Sequence, residues 1–94
     1  MINQQLYNLL DSPELLTEVA DVQHEIWASW MRHLFKVSIH NEDGTVTIPV
    51  EKVARWQRQI STPYDALSER EQQGDIAQAL KVLAVMKEFI ADEY

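Results

Sequence analysis

The stretch STPYDALSERE, residues 61–71, ends one helix and begins another. Pro63 pushes Thr62 out of helical geometry, because the proline ring collides with the backbone of the residue before it. Ser68 and Glu71 have the spacing of a capping box, in which each side chain accepts a hydrogen bond from the backbone N–H of the other. The stretch therefore predicts a helix over about 50–60, opened by Pro49, and a last helix over about 69–92.

A second helix start lies further toward the N-terminus, at Ser12 and Pro13. Ser12 can cap the helix, and proline suits the first turn because its missing N–H would have no partner there. From Glu14 to about Lys36 the chain has no glycine or proline, and apolar residues recur every three or four positions. This pattern predicts a long amphipathic helix over about 14–36.

The remaining segments are shorter. Residues 1–11 are expected to form an N-terminal arm or a short helix. Residues 37–39 and 45–48 are rich in β-branched side chains and flank Asp43-Gly44, a turn pair; they could pair as a short hairpin or run extended. The sequence thus predicts a mainly α fold, a single helical domain over 1–94 with two long helices, a shorter central helix and a short β-hairpin as an option.

Gly74 falls inside the predicted last helix, where glycine is less favourable than alanine. The simpler interpretation is a tolerated weak position. The alternative is a close approach by another helix or a ligand, which a Cβ would block.

Charge and composition limit the classes of partner. The net charge is −7, there is no cysteine, and no apolar run approaches the roughly 20 residues that span a bilayer. A cytoplasmic protein is expected, with neither a membrane nor duplex nucleic acid as partner, because an acidic chain repels polyanions. The exception is a basic ridge, Lys52, Arg55 and Arg58, on the predicted central helix.

Catalytic and metal-binding patterns are not found. His24 and His33 are nine residues apart on one helix, so they point in different directions, and neither is followed three or four residues later by a histidine or carboxylate, as a metal motif would require. No cysteine or serine has the setting of a nucleophile, and two glycines make no phosphate-binding loop. We expect no enzyme, no metal and no cofactor.

Trp27, Trp30 and Trp56 allow two interpretations. Three tryptophans in a chain of this size most often belong to the core. Alternatively, one or two of them line a pocket and stack on a planar ligand, with the basic ridge supplying charge. The ridge could also be a solvated face, or an ion-pair partner for the acidic first helix.

The segment of residues 62–71, followed by Asp75, resembles the Pro-Tyr-x-x-Leu-x-x-x-Glu…Asp segment of ryanodine-receptor-repeat (RyR) domains. His24 and Trp27 look like the His-x-x-Trp of the first helix of such domains. The resemblance extends to small RyR-like proteins of bacteria and their phages, and implies a compact helical recognition module without catalysis of its own. The residues that carry over are His24, Trp27, Pro63, Tyr64, Leu67, Glu71 and Asp75.

Three functions follow as hypotheses. The first is a module that binds a small anionic or nucleotide-like ligand, with a regulatory or sequestering role. Its predicted binding residues are His24, Trp27, Arg55, Trp56, Arg58, Pro63 and Tyr64. The second is a protein-interaction module, with self-association into a homo-oligomer as one form, because the two long helices have broad apolar stripes. The third is an acidic inhibitor of a nucleic-acid enzyme.

Overall fold

Helices make up most of the computed structural model, which describes residues 3–93. In chain order the elements are α1 (Gln4–Leu10), α2 (Pro13–Val37), β1 (Ile39–His40), β2 (Val46–Thr47), α3 (Val50–Ile60), a 3₁₀ turn (Tyr64–Ala66) and α4 (Glu69–Glu93). The predicted mainly α fold, with two long helices and a shorter central one, is confirmed. None of the described helices is both long and apolar enough to cross a membrane.

The first two helices begin at side-chain caps. The Asn3 side chain accepts a hydrogen bond from the Leu6 N–H at 3.1 Å, so the predicted N-terminal segment contains a short helix. At the start of α2 the Leu15 N–H donates to Ser12 Oγ at 3.4 Å, as the sequence predicts. Each cap satisfies a backbone donor that lacks a partner within the helix.

The segment after α2 forms a small hairpin, which settles the alternative left open by the sequence. β1 and β2 pair antiparallel, with Ile39 opposite Thr47 and His40 opposite Val46. The Asn41 side-chain amide donates to Thr45 Oγ1 at 2.9 Å and to Thr47 Oγ1 at 3.0 Å. These bonds connect the two ends of the loop between β1 and β2. Within the loop, Gly44 has a φ of 89° and reverses the chain direction.

The capping box at the start of α4 is present as predicted. The Glu71 N–H donates to Ser68 Oγ at 3.2 Å, and the Ser68 N–H donates to Glu71 Oε1 at 3.1 Å. Gly74 lies one turn further along, and among residues 3–93 a Cβ built there would meet no atom of another element within 4 Å. No neighbouring helix therefore requires a glycine at this position.

The described chain divides into two units. Unit 1 consists of residues 3–26 and 76–93, and contains the buried apolar side chains Leu15 and Phe89. Unit 2 is Trp27–Asp75. Its buried residue is Ser38, whose hydroxyl donates to the Leu34 carbonyl at 2.6 Å and so stays paired away from water. The single-domain interpretation stays a prediction.

Candidate ligand pocket

Unit 2 contains an open pocket of about 510 Å³. This volume is within the range of roughly 300–1,000 Å³ that small-molecule sites occupy. The lining residues are Trp30, Met31, His33, Leu34, Trp56, Gln59, Ile60, Thr62, Tyr64, Leu67 and Asp75. Every one of them belongs to unit 2, so this unit forms the pocket by itself.

Helices α2 and α3 supply the apolar walls through the same spacing. Trp30 and Leu34 are four residues apart on α2, and Trp56 and Ile60 are four residues apart on α3. Residues at this spacing lie on one face of a helix, one turn apart. Each helix therefore presents an indole ring and an aliphatic side chain to the same cavity.

The aromatic rings at the pocket are accessible to solvent. Trp30 is 49% exposed, Tyr64 is 48% exposed, and Trp56 is half-buried. Trp27, which does not line the pocket, is 56% exposed. The core interpretation of the tryptophans is therefore wrong for Trp27 and Trp30, because about half of each side chain is exposed to solvent.

The corner after α3 fixes the position of Tyr64. Thr62 Oγ1 donates to the Arg58 carbonyl at 2.6 Å, which holds the chain as it leaves α3. The Tyr64 carbonyl accepts from the Leu67 N–H at 3.1 Å and from Gln72 Nε2 at 2.9 Å. The 3₁₀ turn is thus bonded to the first turns of α4, and the Tyr64 ring is placed against the pocket.

Arg58 and Glu71 form an ion pair between α3 and α4. The Arg58 guanidinium donates to Glu71 Oε2, while Glu71 Oε1 accepts from the Ser68 N–H. The hydrogen bond from Arg58 is the main reason that the pKa of Glu71 falls to about 2. The Glu71 carboxylate thus caps α4 and also pairs with α3. The main role of Arg58 in this structure is to form that ion pair.

The ionisable groups at the pocket differ from those that the sequence predicted. Its lining includes Asp75 and His33 but no residue of the basic ridge. Lys52 is one turn before Trp56 on α3, and Arg55 is one turn before Gln59, so both lie on the helix face that continues toward the pocket. Positive charge is therefore available beside the cavity rather than in its wall.

Two of the predicted binding residues, Trp56 and Tyr64, meet at the pocket. The others do not line it: His24 belongs to unit 1, whereas Trp27, Arg55, Arg58 and Pro63 belong to unit 2. Whether these residues bind a ligand stays a prediction. Among the described residues, no three His, Asp or Glu side chains form a group that could hold a metal ion.

Sequence reasoning missed several residues of the pocket wall, both apolar and polar. Met31, Leu34, Gln59, Ile60 and Thr62 were not predicted as site residues. The spacing from Trp30 to Leu34 and from Trp56 to Ile60 was available in the sequence. It shows that each pair shares a helix face, but it cannot show that the two faces border one cavity.

Comparison with known proteins returned no matching family model, no matching curated protein and no matching solved structure. The likeness to RyR domains accordingly stays a prediction from the sequence.

Proposed function

We propose that the protein is a non-catalytic recognition module that binds a small planar, nucleotide-like ligand in the pocket of unit 2. The observation that carries this proposal is the presence of Trp30, Trp56 and Tyr64 around one open, largely apolar cavity. Stacking of a nucleobase on an aromatic side chain contributes about 1–3 kcal/mol. A planar ring in the pocket would use ring surface that is otherwise in contact with water.

Polar groups among the lining residues support a ligand with hydrogen-bonding edges. Asp75 is a carboxylate acceptor, Gln59 carries both a donor and an acceptor, and His33 and Thr62 add further partners. A few polar groups in an apolar wall are typical of sites that orient a ligand. We assign the amino and ring N–H groups of a base to Asp75 and Gln59.

The anionic part of the ligand has its partners outside the cavity wall. Lys52 and Arg55 continue the α3 face that Trp56 and Gln59 occupy, and a phosphate projecting from the pocket would meet them there. Arg58 contributes less, because Glu71 already occupies its guanidinium. The net charge of −7 over the whole chain disfavours long polyanions, so the local positive charge of Lys52 and Arg55 favours a small ligand.

The biological role that accompanies this proposal is regulation or sequestration of such a ligand in the cytoplasm. The setting of a bacterial or phage protein comes from the resemblance of residues 62–71 and Asp75 to RyR domains.

Thermal-shift titration with a panel of nucleoside mono-, di- and triphosphates and cyclic nucleotides tests the proposal. At one hundred times its dissociation constant, a ligand stabilises the folded state by about 2.7 kcal/mol. For a chain of this size that is a rise in Tm of roughly 10 °C or more. No rise with any member of the panel at millimolar concentration would overturn the proposal.

Two leucine substitutions on α2 give a matched comparison. Trp30→Leu removes a ring from the pocket. The apparent affinity obtained from the thermal-shift titration should fall at least tenfold. Trp27→Leu removes a similarly exposed ring that does not line the pocket, and should leave the affinity unchanged. Equal losses in both variants would show that the pocket is not the site.

A further inference from the structure

Asp75 is the acidic residue of the pocket. It lies in the second turn of α4 and is the only described residue that α4 contributes to the lining. Its side chain takes part in no hydrogen bond or ion pair among residues 3–93. Glu71, one turn earlier, is by contrast engaged by Arg58 and by the Ser68 N–H. Because Asp75 is also exposed, both of its carboxylate oxygens are available to a ligand.

The charge of Asp75 determines how a nucleotide can lie in the pocket. A phosphate beside this carboxylate would bring two negative charges together, whereas Lys52 and Arg55, on the α3 face that continues toward the pocket, attract a phosphate. Aromatic rings stack on the faces of a base and leave its edge to the other walls. The edge of the base therefore lies toward Asp75, and the phosphate toward the two basic residues.

A carboxylate accepts hydrogen bonds and donates none, so it discriminates between the edges of the bases. Guanine has two adjacent donors on one edge, N1–H and the 2-amino group, which match the two oxygens of one carboxylate. Adenine and cytosine each have a ring-nitrogen acceptor beside their amino group, and uracil has a carbonyl oxygen on either side of its N–H. Among the four common bases, guanine is therefore the best partner for Asp75.

We propose that the base selected by this pocket is guanine, an inference that rests on the nucleotide binding proposed above. Its N1–H and its 2-amino group donate to the two oxygens of Asp75. The second N–H of the amino group is left for the side-chain carbonyl of Gln59, which also lines the pocket.

Isothermal titration calorimetry of the wild type with GMP, IMP and AMP tests the choice of base. IMP lacks the 2-amino group, loses one of the two bonds to Asp75, and should bind roughly fivefold more weakly than GMP. AMP presents one donor and one acceptor to the carboxylate, and should bind more weakly than GMP by a factor of about ten or more. IMP or AMP binding as tightly as GMP would overturn the choice of guanine and leave the pocket as a nucleotide site. Absence of binding by every nucleotide of the thermal-shift panel would overturn both proposals.

Asp75→Asn should reverse the preference between guanine and xanthine. The new amide N–H group would face the 2-amino group of GMP, donor against donor, whereas the 2-carbonyl oxygen of XMP accepts from it. The variant should bind GMP at least about tenfold more weakly than the wild type does, and XMP more tightly than GMP. Loss of an acidic charge by itself strengthens the binding of an anion, so a weaker affinity for GMP reports the lost hydrogen bond. A variant that still prefers GMP to XMP would overturn the proposal.

Asp65→Asn is the matched control. Asp65 is exposed in the 3₁₀ turn of the same unit and does not line the pocket. Its substitution removes the same charge, and should leave the affinity for GMP and the preference for GMP over XMP as in the wild type. Equal losses of GMP affinity in the two variants would contradict a direct contact of Asp75 with the base. Circular dichroism checks that both variants fold, and the comparison of GMP, IMP and AMP uses the wild type alone.

Discussion

At the scale of single residues, the two glycines differ in backbone conformation. Gly74 is helical and has open space where a Cβ would stand, whereas Gly44 has a φ of 89°. We predict that Gly74→Ala raises the free energy of unfolding by about 0.5–1 kcal/mol, because alanine loses less backbone entropy in a helix. Gly44→Ala should lower it by about 1–2 kcal/mol, because an L side chain is strained at positive φ.

Urea denaturation of the wild type and both variants measures these changes, with one m value (the dependence of the free energy of unfolding on urea concentration) fitted to all three. Gly74→Ala also separates the two interpretations of this glycine. A destabilised Gly74→Ala variant would mean that the backbone or its surroundings need glycine. A stabilised variant that loses ligand affinity would place the ligand against α4 at this point.

The surroundings of the tryptophans could not be predicted from the sequence. Helical spacing places Trp30 and Leu34 on one face of α2, but it does not show what covers that face. Trp27 and Trp30 are about half exposed, and only the arrangement of α3 and the Tyr64 corner gives Trp30 a pocket. The ion pair of Arg58 with Glu71 joins residues thirteen apart on different helices, a spacing with no local signal.

At the scale of elements, the helix boundaries could be predicted because they depend on local chemistry. Pro13, Pro49 and the Ser68–Glu71 capping box mark the starts of α2, α3 and α4, and Pro63 follows the end of α3. The hairpin could not be decided from the sequence. Its strands have two residues each, and the amide bonds of Asn41 to Thr45 and Thr47 hold them.

The cap of α4 leads to an element-scale prediction. Ser68→Ala removes the acceptor of the Glu71 N–H and should lower the free energy of unfolding by about 1 kcal/mol. Ser61→Ala is the matched control: the Ser61 hydroxyl donates to the Gln57 carbonyl at the end of α3, and after its loss that carbonyl still accepts from the Ser61 N–H. Urea denaturation of both variants should show a clearly larger loss for Ser68→Ala. Equal losses would mean that the capping box contributes little.

At the scale of the whole molecule, acid should destabilise the protein, because it protonates three carboxylates that accept hydrogen bonds in the folded state. The pKa of Glu71 is lowered from 4.5 to about 2, first by the hydrogen bond from Arg58. The Ser12 hydroxyl lowers the pKa of Glu14, and the Thr45 hydroxyl lowers that of Asp43. A lowered folded-state pKa contributes stability above the unfolded-state pKa, and that contribution is lost as the pH falls.

We predict that the urea midpoint is steady near neutral pH and falls from pH 4.5 toward pH 2, the interval between the two pKa values of Glu71. Arg58→Gln should reduce the size of this fall, because Glu71 then titrates closer to its ordinary value. Arg55→Gln removes the same charge from an exposed position of α3, and should keep the wild-type profile. A fall of equal size in both variants would contradict the assignment of Arg58.

The central claim is that the pocket of unit 2 binds a planar, nucleotide-like ligand, and the indole N–H signals of the three tryptophans test it most directly. These signals can be followed in ¹H–¹⁵N spectra during titration with the nucleotide that gives the largest thermal shift. We predict that the signals of Trp30 and Trp56 move together with one saturation curve while that of Trp27 stays in place. Stationary Trp30 and Trp56 signals at millimolar nucleotide, or a saturable change at Trp27 alone, would contradict the claim.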